Sequence, residues 1–331
     1  GEKMKKTIIL TYDYELFFGD HSGTVSKTLI EPTNLLLEQF EKSNLKATFF
    51  VDYLMIKYLG LNTDERSRSD LHLIQEQLKD IIRRGHRIEL HIHPHWVDAK
   101  YNGDGTWNYC NFSHYSLNSF TEEEIIKMFV EGCEILHLLA RSVEPDYKIV
   151  AFRAGGWAVQ PFSLLKKAFL SADIRIDSSV SYGIKNTNKD SYYDFTNIPR
   201  KSFYKFTDSI EEEETEGLFT EVPITSYYRF IFYKLADRIF RRFSSKMVVL
   251  ADGTHFRKAD QIKSGWHFFN KAMLNTTCVS VMTAVLSALL SWKRLLVFID
   301  HPKDFTMATL DSLRIISRFA DSTTYKDLLQ K

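Results

Sequence analysis

Gly85-His86-Arg87-Ile88-Glu89-Leu90-His91-Ile92-His93-Pro94-His95-Trp96 is the stretch from which the fold of this chain is read. Ile88 and Leu90 alternate with Arg87 and Glu89, the period of a short strand over 87–90 that runs into a turn. Four of the eleven histidines fall between positions 86 and 95. If the backbone winds helically after the strand, His91 and His95 meet one metal ion. His93 then points about 200° away from His91 and is structural. A strand end is where α/β enzymes place their chemistry. A cluster of surface or hydrogen-bonding histidines is the plainer alternative, and an isolated His-x-x-x-His would favour it. Other segments shift that balance.

Outward from this stretch, apolar runs alternate with helical patterns. Strands are expected over 7–12, 47–51, 87–90, 148–153, 174–177, 221–224 and 295–300, and helices over 31–42, 71–84, 121–140, 162–170, 227–243 and 278–292. Pro32 suits a first helical turn. Gly85 suits a helix C-cap, and Thr121-Glu122-Glu123-Glu124 reads as a capping box. This alternation predicts a mostly parallel sheet with helices outside, closed as a barrel or left open. No repeat or long linker divides the chain, so 1–331 reads as a single domain. The segments 100–119, 182–216 and 251–271 read as insertions that shape a substrate site.

Composition narrows the class. The 331 residues can bury a full core; 44% are hydrophobic and 26% charged, as in soluble globular proteins. A formal net charge of +1 lacks the basic excess of nucleic-acid binders. Aromatics reach 14%, which suits a bulky core, sugar stacking or lipid contact alike. Cys110, Cys133 and Cys278 are odd in number and far apart, which fits reduced thiols and a cytoplasmic location. The apolar run from Thr7 is broken by Asp13 and Glu15, too soon for a signal-peptide core; an excised leader stays open. The stretch 278–292 is too short and polar to span a bilayer. The basic aromatic helix at 227–243, with Arg229, Lys234, Arg238, Arg241 and Arg242, is read as cover for the core in preference to a peripheral membrane contact.

Polar constellations sit at predicted strand ends. Thr11-Tyr12-Asp13-Tyr14-Glu15 offers two carboxylates, one to ligate a metal and one to take a proton from water. Arg153, before Gly155, Gly156 and Trp157, can hold a carboxylate in a fixed fork. The glycines let backbone N–H groups approach a ligand. Asp300-His301 closes an apolar strand and places a histidine as an acid. Strand-terminal turns, surface ion pairs and a hydrogen-bonded histidine are the structural alternatives.

In this order the segments resemble the polysaccharide deacetylase superfamily (NodB homology, carbohydrate esterase family 4-like). Thr11-Tyr12-Asp13-Tyr14-Glu15 is similar to its Thr-Phe-Asp-Asp-Gly motif. Residues 85–95 are similar to Gly-His-Glu-Ile-x-x-His-Thr-x-x-His. Arg153, Asp177-Ser178-Ser179-Val180 and His301 match further motifs, and Ala47-Thr48-Phe49-Phe50-Val51 its second strand. The resemblance runs from about residue 6 to 305 and, within the superfamily, points to proteins of O-antigen and capsule clusters.

It implies a distorted (β/α) barrel of about seven parallel strands with insertions. It implies Asp13 as general base oriented by Arg153, His301 as general acid, and Glu15, His91 and His95 as ligands of one divalent ion, Zn2+ or another. Gly156, Trp157 and Asp177 would line the substrate and oxyanion site. Tyr14 stands where the family has a metal-binding Asp, so the third ligand falls to Glu15. The implied reaction is removal of an N-acetyl group from a sugar or glycan. A non-catalytic glycan-binding protein and a hydrolase of small non-sugar amides are the alternatives.

Overall fold

The computed structural model describes residues 5–256 and 269–330; 257–268 of the third insertion lie outside it. The strands are β1 (Lys6–Tyr14), β2 (Ala47–Asp52), β3 (Arg87–Ile92), β4 (Lys100–Tyr101), β5 (Trp107–Asn108), β6 (Ala151–Ala154), β7 (Ile176–Asp177), β8 (Lys185–Asn186), β9 (Tyr193–Asp194), β10 (Tyr204–Phe206), β11 (Phe219–Glu221), β12 (Ser226–Phe230), β13 (Phe269–Met273), β14 (Leu295–Asp300) and β15 (Ala320–Ser322). The helices are α1 (Glu31–Ser43), α2 (Tyr53–Leu61), α3 (Glu65–Arg83), α4 (Glu122–Arg141), α5 (Lys166–Ser171), α6 (Ile231–Phe243), α7 (Val281–Leu289), α8 (Met307–Ile316) and α9 (Tyr325–Leu329).

One curled sheet runs β10-β11-β7-β6-β3-β2-β1-β14, with β15 also on β1. Every pairing in it is parallel except β10 with β11. The ladder does not close into a seven-strand barrel. Instead the chain after β11 spans the gap: Val222 N–H donates to Asp177, Ile224 to Val180, and Thr225 to Val297 of β14. Crossover helices force the parallel arrangement, and period-2 alternation sorts its faces. In β1, Ile8, Leu10, Tyr12 and Tyr14 pack outward into the core under the helices. Ile9 points inward with Phe50, Ala151, Ile176, Val297, Ile299 and Tyr325 of α9. Each such fully buried large side chain contributes about 1.5–3 kcal/mol.

Local signals hold at several points. Thr121 and Glu124 form the reciprocal capping box that starts α4. Gly85 takes φ 83° after α3, as its C-cap role required. The alternation in β3 does not mark a solvent face, because all six residues are buried. Arg87 and Glu89 pair at 2.9 Å, and Glu89 accepts the Val150 and Ala151 N–H groups at 2.8 and 3.1 Å, tying β3 to β6. The expected helix over 227–243 divides into β12, which pairs with β13, and α6. Three of its first four residues, Tyr227, Tyr228 and Phe230, are aromatic, which favours a strand. No described helix is long and apolar enough to cross a membrane.

Candidate active site

The ends of β1, β3, β6 and β14 bring the polar residues together. Asp13 and Glu15 are two apart, so an extended backbone points both to the inner face. Tyr14, between them, points outward and donates to Gln77 Oε1 at 2.7 Å. Arg153 is fully buried, and its guanidinium reaches Asp13 Oδ1 at 2.8 Å, Thr11 Oγ1 at 2.7 Å and the Ser178 carbonyl at 2.7 Å. Burial works against ionised Asp13, but Arg153, His91 and His301 outweigh it and hold the carboxyl below its ordinary range.

Among the described residues, the group that could hold a metal ion is Glu15, His91 and His93, whose ligand atoms lie within 4.8 Å of one another. His91 Nε2 is 2.9 Å and His93 Nε2 2.7 Å from Glu15 Oε2. This corrects the expected pair of His91 and His95. The backbone does not wind after Leu90: β3 continues through Ile92, and His93 is still extended at φ −106°, ψ 92°. Positions 91 and 93 therefore share a face. His95 falls in the 3-10 turn Pro94–Asp98, against the rings of Phe18, Tyr109 and Tyr115. Both its ring nitrogens are buried without a hydrogen-bond partner, and burial, then His93, pushes its pKa well below the ordinary value.

The donor set fits a divalent ion. His91 Nδ1 lies 2.7 Å from the Arg153 carbonyl, so it donates there and turns Nε2 toward Glu15, the way metal-binding imidazoles are oriented. Burial pushes His93 down to about 4, which keeps it neutral, as ligation requires. For His91, burial is outweighed by Asp13 and Glu15, which raise it to about 9. Lys303 complicates the fit. Its buried ammonium is 2.7 Å from Glu15 Oε1 and also reaches the Leu16 carbonyl at 3.2 Å. It holds the second oxygen of the carboxylate that the histidines share. Burial opposes ionised Glu15, yet His93, Lys303 and His91 hold it well below the usual range.

His301 Nε2 is 3.5 Å from both Asp13 Oδ2 and Glu15 Oε1, and its Nδ1 is 3.7 Å from Asp304 Oδ2. Asp304 in turn meets His255 Nε2 at 2.5 Å. Asp13, Glu15, His93, Gly156, Trp157, His301 and Lys303 line one cavity of about 570 Å³, walled by Phe18, Phe112, Tyr115, Tyr193 and Phe256. Gly156 has φ 62° and Tyr115 crowds it so closely that a Cβ would sit 2.6 Å from the ring. Asp177 is not in the wall. It is buried, accepts the Ser179 N–H and hydroxyl at 2.9 and 2.8 Å, and holds the turn after β7. The sequence reading missed Lys303, Asp304, His255 and Asp52. Asp52 ends β2, a strand-end signal as good as Asp13's, and accepts from the Trp96 ring N–H at 2.6 Å. Lys303 and Asp304 lie two and three residues after His301; nothing in the sequence marks His255.

No family model matches the chain, and no curated protein does. Three solved structures give the scale of similarity. A Mycobacterium smegmatis protein assigned as a polysaccharide deacetylase is 15% identical, with 100% of this chain and 91% of that one covered and a TM-score of 0.49. A 4-alpha-glucanotransferase from Thermococcus litoralis is 14% identical, over 98% of this chain and 38% of that one, at 0.47. The Bc1960 peptidoglycan N-acetylglucosamine deacetylase is 16% identical, over 99% and 89%, at 0.44. Similarities of this size do not decide the chemistry.

Proposed function

We propose that the protein is a polysaccharide-deacetylase-type hydrolase that removes an N-acetyl group from a sugar or glycan with one divalent ion. The observation that carries this is the pairing of an ionised, Arg153-bound Asp13 with the Glu15–His91–His93 cluster at the floor of one aromatic-walled cavity. Glu15, His91 and His93 would hold a divalent ion, zinc among the candidates, whose chemistry there would be to polarise a carbonyl and lower the pKa of bound water. Asp13 Oδ2, the oxygen not engaged by Arg153, takes the proton from the attacking water. Arg153 fixes its direction and keeps it ionised between turnovers. The C–O bond forms first and gives a tetrahedral oxyanion; the proton taken by Asp13 Oδ2 passes to His301 Nε2, 3.5 Å away, and from there to the leaving amine as the C–N bond breaks, so that acetate and a free amine result. Gly156 and Trp157 line the cavity, and their backbone N–H groups are the donors this reading assigns to the developing oxyanion. The aromatic wall suits sugar rings.

Lys303 supports a second reading, a metal-free glycan-binding protein, because its ammonium already neutralises Glu15. Acetate release from N-acetylated oligosaccharides, with and without added divalent ion, separates the two. Turnover that falls about 10²–10⁴-fold in Asp13→Asn with metal retained is the expected result. Saturable glycan binding with no acetate release under any metal would overturn the hydrolase.

A further inference from the structure

Helix α6 carries an apolar face that the described fold leaves uncovered. Of its thirteen residues, Tyr233, Ala236 and Asp237 are the buried ones. Phe232, Leu235, Ile239 and Phe243 recur at spacings of three, four and four, so they share one face. They are 47%, 51%, 48% and 78% exposed. A helix that served only as cover for the core would bury this stripe, and contiguous exposed apolar surface of this kind marks an interaction site.

The charge beside the stripe indicates what it meets. Arg241 and Arg242 are exposed in its last turn. The helix has one carboxylate, Asp237, which is buried and committed to Arg229 at 2.6 Å and to Ser280 and Thr283. The outer surface of α6 is therefore apolar with a positive flank. Next to it a cavity of about 260 Å³ combines Phe232 with Lys271, Arg200 and Trp292. Arg200 lies over the Tyr182 and Trp292 rings, 5.6 Å from each. Aromatic rings beside cations are the composition of groups that sit at lipid headgroups. Strand β13 lends Lys271 to this cavity and Ala272 and Met273 to the catalytic one, so the two lie along one strand.

We propose that α6 lies in the plane of an anionic membrane surface, its apolar stripe in the acyl boundary and Arg241 and Arg242 on lipid phosphates. This adds to the sequence expectation that the helix is cover. It stands apart from the reaction read above. A second copy of the chain is a poorer occupant, because it brings the same positive flank and no free carboxylate on α6 to meet it.

The test is co-sedimentation of the full chain with phosphatidylcholine vesicles, with and without phosphatidylglycerol. The wild type binds the anionic vesicles, binds neutral ones less, and is released by salt. Leu235→Ser, Ile239→Ser and Phe243→Ser together lower vesicle binding at least about tenfold, with an unchanged circular dichroism spectrum. Arg241→Gln with Arg242→Gln removes the preference for anionic lipid. Failure of the wild type to bind either vesicle, or a triple serine variant that binds as well as wild type, would overturn the proposal. So would a wild-type dimer in sedimentation velocity that the triple variant dissociates while neither binds lipid. Acetate release from a soluble substrate stays at the wild-type rate in the triple variant, so loss of docking is separable from loss of chemistry.

Discussion

Lys303→Met should tighten metal binding. The ammonium sits 2.7 Å from Glu15 Oε1, while His91 and His93 gather at Oε2 of the same carboxylate. An ion accepted at Oε2 would sit roughly 5 Å from that ammonium if the lysine stayed in place. At an effective dielectric of about 20, a double and a single charge at that separation repel by roughly 6–7 kcal/mol, an upper figure. The lysine stem can swing away and relieve most of this. A remaining third, about 2 kcal/mol, corresponds to a roughly thirty-fold gain in affinity when the charge is removed. Methionine keeps the stem's bulk against Phe17 and Phe18, over whose rings the ammonium lies 5.7 and 4.9 Å from the centroids. The assay is competition for Zn2+ with a chromophoric chelator at constant pH, with circular dichroism as the check on folding. The same variant should melt lower than wild type in chelator, because Glu15 loses its counter-ion, and regain stability with metal. Affinity equal to or weaker than wild type would refute the idea that Lys303 opposes the ion.

Two further outcomes follow from buried groups. Tyr14→Phe leaves metal content and turnover unchanged, because the hydroxyl faces Gln77 on the outer side of β1; it costs about 1–3 kcal/mol in a denaturant titration, since Gln77 Oε1 loses its donor. His86 accepts the Ala47 N–H at 3.1 Å, and burial pushes its pKa down to about 4. Its share of stability is therefore present above about pH 6.5, the unfolded value, and is lost as pH falls toward 4, up to about 3 kcal/mol. His86→Asn should flatten that part of the stability–pH curve; an unchanged slope between pH 6.5 and 4 would assign the acid sensitivity elsewhere.

What the sequence made legible was where strands end. The β1, β3, β6 and β14 ends carry Asp13, His91, Arg153 and His301, and those four residues converge. The error at His95 came from a boundary. A strand two residues longer than the alternation suggested changes the period from helical to extended, and exchanges His95 for His93. Asp177 was chosen by motif, but its oxygens are consumed by the Ser179 turn, a use no pattern of residue types reveals. The sheet's failure to close was equally hidden, because 221–224 reads as one more strand, yet β11 ends at Glu221 and the residues after it lie between two strands without pairing as a full strand. Lys303 was missed because a lysine one turn past a strand is ordinarily solvated, and here a 3-10 turn folds it back onto Glu15. The helix at 227–243 was assigned to the core, and the face of α6 that carries Tyr233, Ala236 and Asp237 is buried there; amphipathicity does not fix what meets the other face.

The metal content of His93→Ala and His95→Ala, measured beside wild type on protein prepared without chelator, tests the central claim most directly. The cluster of Glu15, His91 and His93 predicts about one divalent ion per wild-type chain, its loss in His93→Ala, and its retention in His95→Ala. Retention in His93→Ala with loss in His95→Ala would contradict the account.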